Sequence, residues 1–384
     1  MPKITNVAII TLAVGLLVSH TTVTAAEGDS SWVDTLKSMG KVYSNDSDPG
    51  AVQEVKFFGR LHQQWAYSDG ESSGDDFSGS GDELRRLRAG VSVKFLDGFK
   101  ALGRVNFEKG GFRNTSLGYN SFDELYLDYT KEGLLGFDKA TIGYGRYKLL
   151  FGGEERVSSK QIKTVERSNI NNRFGARPTG LVLKGEKNDV DYVLSVFSTE
   201  RDSETIADWS GAAAFQFGAV FEAGEGSVTT DFIYADSSSN DRSVFDFDWA
   251  TSFTYTRSYG EVDVLTNLTY ANDGSDDIFG FVILPSFMIN EKMEAVFRYQ
   301  YGQSSDMTGV PKSSSSRGLR RVARNEGVGT GSGDENHTLY TGLNYYLEGH
   351  YAKIMTGVEY ESIDGAPGRG IEGFTLWAAF RTYF

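Results

Sequence analysis

Basic residues at alternate positions are the first feature of this sequence that can do chemistry. Between Glu83 and Phe95, Arg86, Arg88 and Lys94 share one parity with Gly90 and Ser92, while Leu87, Ala89, Val91, Val93 and Phe95 take the other. Successive residues of a strand face opposite sides, so this pattern sets a basic ladder against an apolar stripe. Arg60, His62 and Gln64 upstream, and Arg104 with Asn106 downstream, lie where neighbouring strands would extend the same basic face. Such a row replaces the hydration of a passing anion with guanidinium donors, as charged rings do in pores. A competing reading pairs each Arg with an Asp or Glu across strands. In bulk-like water one such pair contributes only roughly 0–1 kcal/mol, so these charges bear more on permeation than on folding.

The stretch from Leu149 to Gly175 is too long and polar for a simple turn, and carries Glu154, Glu155, Lys160, Lys163 and Arg167. Connections of this length usually carry function, although an external loop with solvated charges has the same composition. Gln303 to Asp334 joins Ser313–Ser316 to Arg317, Arg320, Arg321 and Arg324, and reads as a flexible, basic external loop. Catalytic signatures are lacking: there is no nucleophile elbow, no HExxH and no phosphate-binding P-loop, and only His62, His337 and His350 lie beyond the amino-terminal segment. Acidic groups such as Asp75 with Asp76, or Asp273, Asp276 and Asp277, lack the spacing of a dedicated calcium loop. With no Cys, disulfides and thiolate metal sites are excluded. The expectation is no enzyme, no cofactor and no metal.

The elements that position these residues follow from the rest of the chain. Lys3, the apolar run Val7–Val18 and the small residues Val23–Ala26 make residues 1–26 a secretory signal peptide. Residues 27–53 read as a periplasmic segment, with Trp32, Val33, Leu36, Met39 and Val42 at helical spacing. From Glu54 to Phe384, segments of about ten residues alternate in polarity, separated by short and long polar stretches in turn. We count about sixteen, from Glu54–Tyr67 and Glu83–Phe95 through Lys139–Lys148 and Ala176–Lys187 to Ile371–Phe384. In the last of these Phe374, Leu376, Ala378, Phe380 and Phe384 share one face.

This rhythm, with 45 Gly, 20 Tyr, 26 Phe and only 6 Pro, predicts an all-β transmembrane antiparallel barrel rather than a soluble β-sandwich. A net charge of −14 argues against nucleic acid or anionic lipid as partners.

Leu84–Phe95, reading Leu-Arg-Arg-Leu-Arg-Ala-Gly-Val-Ser-Val-Lys-Phe, resembles the Arg-Arg-x-Arg-x-Gly strand typical of the phosphate-selective porin O and P family. Asp123-Glu124-Leu125-Tyr126-Leu127-Asp128-Tyr129, Ile142–Lys148 with Phe151-Gly152, and Glu154-Glu155 followed by Glu166-Arg167-Ser168 are similar to the segments that follow in that family. The resemblance runs from about Gly59 to Val196. It implies a sixteen-stranded, usually trimeric, water-filled barrel of the bacterial outer membrane. It further implies that the 149–175 connection folds into the lumen, making Lys160, Lys163 and Arg167 filter candidates with Glu154 and Glu155 as partners.

Two departures stand out. The chain is acidic, with 52 Asp and Glu against 38 Lys and Arg, and Leu149-Leu150 replaces the family's Pro pair. The reading is therefore a passive channel for small polar solutes with weak anion preference, lined by Arg60, Arg86, Arg88, Lys94 and Arg104. A phosphate- or polyphosphate-selective channel and a structural or adhesion barrel are the alternatives.

Overall fold

The computed structural model describes residues 40–45, 51–72, 74–200, 209, 212–235, 244–245, 247–306, 309–310, 317–329, 331–365 and 369–384. The signal-peptide segment and most of the helical pattern that follows lie outside these residues. The last position of that pattern, Val42, sits in a short strand, β1 (Lys41–Ser44), rather than in a helix.

Sixteen further strands follow: β2 (Val52–Ser72), β3 (Asp75–Phe95), β4 (Phe99–Lys109), β5 (Ser116–Glu132), β6 (Lys139–Arg146), β7 (Thr179–Lys187), β8 (Val190–Ser198) and β9 (Ala213–Ala223) make one half. The other half comprises β10 (Gly226–Ala235), β11 (Trp249–Tyr259), β12 (Val262–Asn272), β13 (Asp277–Asn290), β14 (Met293–Ser304), β15 (Glu335–Glu348), β16 (Ala352–Asp364) and β17 (Ile371–Tyr383). Each pairs antiparallel with the next, and β17 returns to β2 through Glu372↔Glu71 to Tyr383↔Arg60. Closure leaves no strand edge in the hydrocarbon, where an unpaired backbone group costs several kcal/mol. Below the end of β17, Phe384 exchanges backbone hydrogen bonds with Gly59, and β1 covers Glu54–Lys56 of β2.

Local chemistry matches this topology. Asn188 and Asp189 both have positive φ, 50° and 61°, the conformation a two-residue hairpin needs to suit strand twist. On β17 the aromatic stripe faces outward, with Phe374 55% exposed, while Thr375, Trp377, Ala379 and Arg381 are buried toward the lumen.

The lumen is not a simple water-filled tube, because two segments fold into it. The first joins β6 to β7 and carries α1 (Gly153–Arg156) and α2 (Asn169–Phe174). Its Leu149, Phe151, Ile170 and Phe174 pack with Ile233, Ile278 and Val282 of the barrel wall. Burying each of these large side chains contributes roughly 1.5–3 kcal/mol toward keeping the segment inside. The second joins β14 to β15 and contains α3 (Leu319–Glu326), with Leu319, Val322 and Ala323 packed against Ile371, Trp377 and Val165. The sequence reading of this region as a flexible external loop is thus corrected over 317–329: its apolar residues recur at helical spacing and are buried.

A basic chamber between the β2–β5 wall and the inserted segment

Register places the basic residues of neighbouring strands side by side. Arg60 lies opposite Arg88 and His62 opposite Arg86 across β2–β3, Arg88 opposite Asn106 across β3–β4, and Arg104 opposite Glu124 across β4–β5. All of these side chains face inward. A register shift between His62 and Gln63 leaves Arg85 as the extra residue of a bulge, and its guanidinium reaches the Glu166 carboxylate at 2.7 Å. Strict alternation would send Arg85 to lipid, so sequence periodicity missed it. A second shift, between Arg104 and Val105, brings both Asp123 and Glu124 onto Arg104.

The first inserted segment crosses the lumen and is held on its far side by β14–β17. Arg298 donates to the carbonyl of Glu166 at 2.6 Å, Lys353 to that of Ile162 at 2.6 Å, and Asn344 to that of Lys163 at 2.8 Å. Arg381 donates to the carbonyl of Val165. Within the segment, Ser168 caps α2 by accepting from the Asn171 N–H, and its own N–H donates to Glu154 at 3.2 Å.

Between this segment and the β2–β5 wall lies a cavity of about 180 Å³. Arg60, Arg86, Arg88 and Arg104 line it from the wall, and Lys148, Arg156, Arg167 and Arg177 from the segment, with Ser158 and Ser159 between them. Four carboxylates answer these eight cations. Asp123 takes Arg88 at 2.9 Å, Arg177 at 3.2 Å and Arg104; Glu155 takes Arg167 at 3.3 Å, Lys148 at 3.4 Å and Arg177 at 3.5 Å. Glu124 pairs with Arg104 and Asp231 with Arg156. Arg60 has no described carboxylate within ion-pair reach and contacts the Ser159 hydroxyl, while Arg86 lies 3.4 Å from Nδ1 of His62. The Nε–H groups of Arg86 and Arg88 find no acceptor among the described residues. Buried donors left in this state favour an added acceptor, since their desolvation is otherwise uncompensated.

The segment's titrations follow this one-signed field. Burial acts to raise the Glu155 carboxyl, but Arg167, Lys148 and Arg177 outweigh it and hold it down at about 2. Burial, with Arg60, Lys56 and Arg104 nearby, pushes the Lys160 ammonium down to about 8. Burial lowers Lys148 to about 7 even though Glu155 opposes the shift.

The predicted site residues therefore divide. Arg60, Arg86, Arg88, Arg104 and Arg167 meet in the chamber, with Glu155 as a shared counter-ion and Lys160 close by over the Tyr383 ring at 4.1 Å. Glu154 is buried behind them against Ser168 and Arg298. Lys163 turns to the opposite wall, 2.9 Å from Glu294 and 3.1 Å from Asp263. Lys94 sits apart, half exposed and paired with Glu54 at 3.2 Å. Lys148, Arg156 and Arg177 join the site; the sequence shows Arg156 among the charges of the long connection and Lys148 at the end of the porin-like motif, but singles out none of the three as a site residue. Lys148 and Arg177 flank the insertion and were read as strand residues. Among the described residues no group of His, Asp and Glu could hold a metal ion.

No curated protein matches this sequence. Among solved structures the fold is similar to the outer membrane channel DcaP of Acinetobacter baumannii, at 13% identity and TM-score 0.53 over 88% of this chain and 100% of that one. It is also similar to an anion-selective porin from Comamonas acidovorans, at 11% identity and TM-score 0.55 over 86% and 99%. Pseudomonas putida OprB aligns at 11% identity and TM-score 0.57 over 92% and 97%. Residues 55–249, just over half of the chain, match the family described as phosphate-selective porin O and P. The chain belongs to that porin family, and is a β-barrel channel of the bacterial outer membrane.

Proposed function

We propose that this porin passes small polar solutes by passive diffusion with a weak preference for anions, and that it has no catalytic role. The observation that carries the reading is the chamber, where eight cations face four carboxylates and Arg60 and Arg86 are left without one. An anion there gains guanidinium and hydroxyl donors in place of water, whereas a cation meets a net positive field. In this reading Arg60, Arg86, Arg88 and Arg104 steer the ion, Lys160 and Arg167 narrow its path, and Glu154 and Glu155 fix the segment that carries them. Lys94 adds only rim charge. Purified protein added to a planar bilayer in potassium chloride should give discrete, ohmic current steps. A folded, inserted barrel that carries no current would favour a structural or adhesion role instead.

A phosphate-selective channel is the second reading, favoured by the convergence of guanidinium groups and two Ser hydroxyls on so small a space. Block of chloride current by inorganic phosphate well below the chloride concentration would support it. We also propose a homotrimer, since a trimer form is described for OmpT of Vibrio cholerae, a barrel of the same fold. Mass measurement in mild detergent tests this.

A further inference from the structure

We infer that residues 317–329 form a second constriction that helps set ion choice, with Arg317 and Arg320 masking lumen carboxylates. The inference rests on the channel activity but not on the basic chamber.

Leu319 sits where paired strands β2 and β17 offer Gly70 opposite Gly373, and a Cβ built on either glycine would stand 2.9 Å from Leu319 Cδ1. A Cβ on Gly79 of β3 would stand 3.1 Å from Val322 Cγ1. Gly70 and Gly373 thus leave room for Leu319 of α3, and Gly79 leaves room for Val322 together with the Arg113 guanidinium. Glycine weakens a strand interior, so its placement here marks close approach of another part of the chain.

Arg317 Nε lies 3.3 Å from Glu83 and 3.6 Å from Glu166. Arg320 Nε lies 3.4 Å from Glu361, and its Nη2 donates to Asn169 Oδ1 at 2.7 Å. Glu83, Glu166 and Glu361 are all buried in the lumen. Two of these contacts, at Glu166 and Asn169, belong to the first inserted segment, so α3 touches both the barrel and the constriction already described. Without the two Arg side chains, Glu83 and Glu361 would lose their described ion-pair partners and Glu166 would keep only Arg85, which leaves added negative charge on the lumen wall within a Debye length of any passing ion, where screening is weak.

Three variants test the inference in planar bilayers. Arg317→Gln should lower the anion-to-cation permeability ratio, by roughly twofold, with little change in conductance, because it removes a charge without removing the plug. Replacing 317–329 with a short Gly-Ser linker should lower that ratio further and raise conductance. Gly79→Cys with Val322→Cys guards against a deletion that fails to fold. The chain has no other Cys, and a Cβ at position 79 would lie beside Val322 once the flexible Arg113 guanidinium that fills that point swings aside. Its formation in outer membranes, with current and ion ratio unchanged, places α3 in the lumen of the conducting channel. Failure of the disulfide to form in a folded channel, or an ion ratio and conductance that ignore both Arg317 and the deletion, would overturn the inference. A wild type that carries no current fails the channel reading, and this one with it.

Discussion

Two walls of one barrel, built by the same alternation of faces, present opposite chemistry to the lumen. On β2–β5 the inward positions hold Arg60, Arg86, Arg88 and Arg104, opposed across about 180 Å³ by four more cations of the inserted segment. On β11–β13 the inward positions hold Ser252, Thr254, Asn267, Thr269 and Ser286, which bond largely to one another and to the segment. The cavity on that side is larger, about 400 Å³, and its lining holds Lys163 and Arg257, paired with Asp263 and Glu225, together with Glu154 and Glu222. Space and charge are thus separated. The roomier side carries no excess of cations, and the narrower side carries a strong positive sign. Selectivity then depends on how far the basic wall's field spans the opening, which at about 0.15 M salt is roughly one Debye length of 8 Å.

Reversing the charge of the basic wall should have the largest effect. Arg86→Glu with Arg88→Glu should abolish anion preference or invert it, because the change removes one of the two cations without a carboxylate and leaves Asp123 short of one partner. Reversal potentials in a salt gradient report the change. A double variant with wild-type selectivity would mean that ions pass by the neutral wall.

A smaller effect should follow from pH. Lys148 and Lys160 are charged below about 7 and about 8 respectively, so positive charge beside the chamber is full at pH 6 and is lost as pH rises to 9. Anion preference should decline over that window, and Lys160→Met should remove the upper part of the decline. A flat profile would show that neither ammonium faces the permeating ion. On the neutral wall, Asp263→Asn should shift the ion ratio less than the pH change does, since Asp263 is already paired with Lys163. The smallest effect should come from Asp75→Asn with Asp76→Asn, which lie at the far end of β3 from the chamber.

Much of this architecture can be read from residue order, and the exceptions have physical causes. Period-two alternation reports directly which side of a strand meets lipid, so all sixteen barrel strands and the inward face of Arg86 and Arg88 were legible. Asp75–Asp82 was not, because its Gly, Ser and Asp residues have low strand propensity and are held extended by pairing with β2. Arg85 was hidden because a bulge shifts parity by one residue and leaves no local signature. The i, i+3, i+4 pattern of Leu319, Val322 and Ala323 was visible, but flanking Ser and Arg residues made the region look like a solvated loop. Contacts that fix the inserted segment, such as Arg298 with the Glu166 carbonyl, join residues far apart in sequence, beyond the reach of any local pattern.

The most direct test of the account is the sign of the wild-type reversal potential across a bilayer with potassium chloride concentrated on one side at neutral pH. A channel governed by the β2–β5 wall gives the sign of chloride permeating faster than potassium, despite a net chain charge of −14. A potential of the opposite sign would show that the acidic surface, and not the chamber, governs the ion, and would contradict the account.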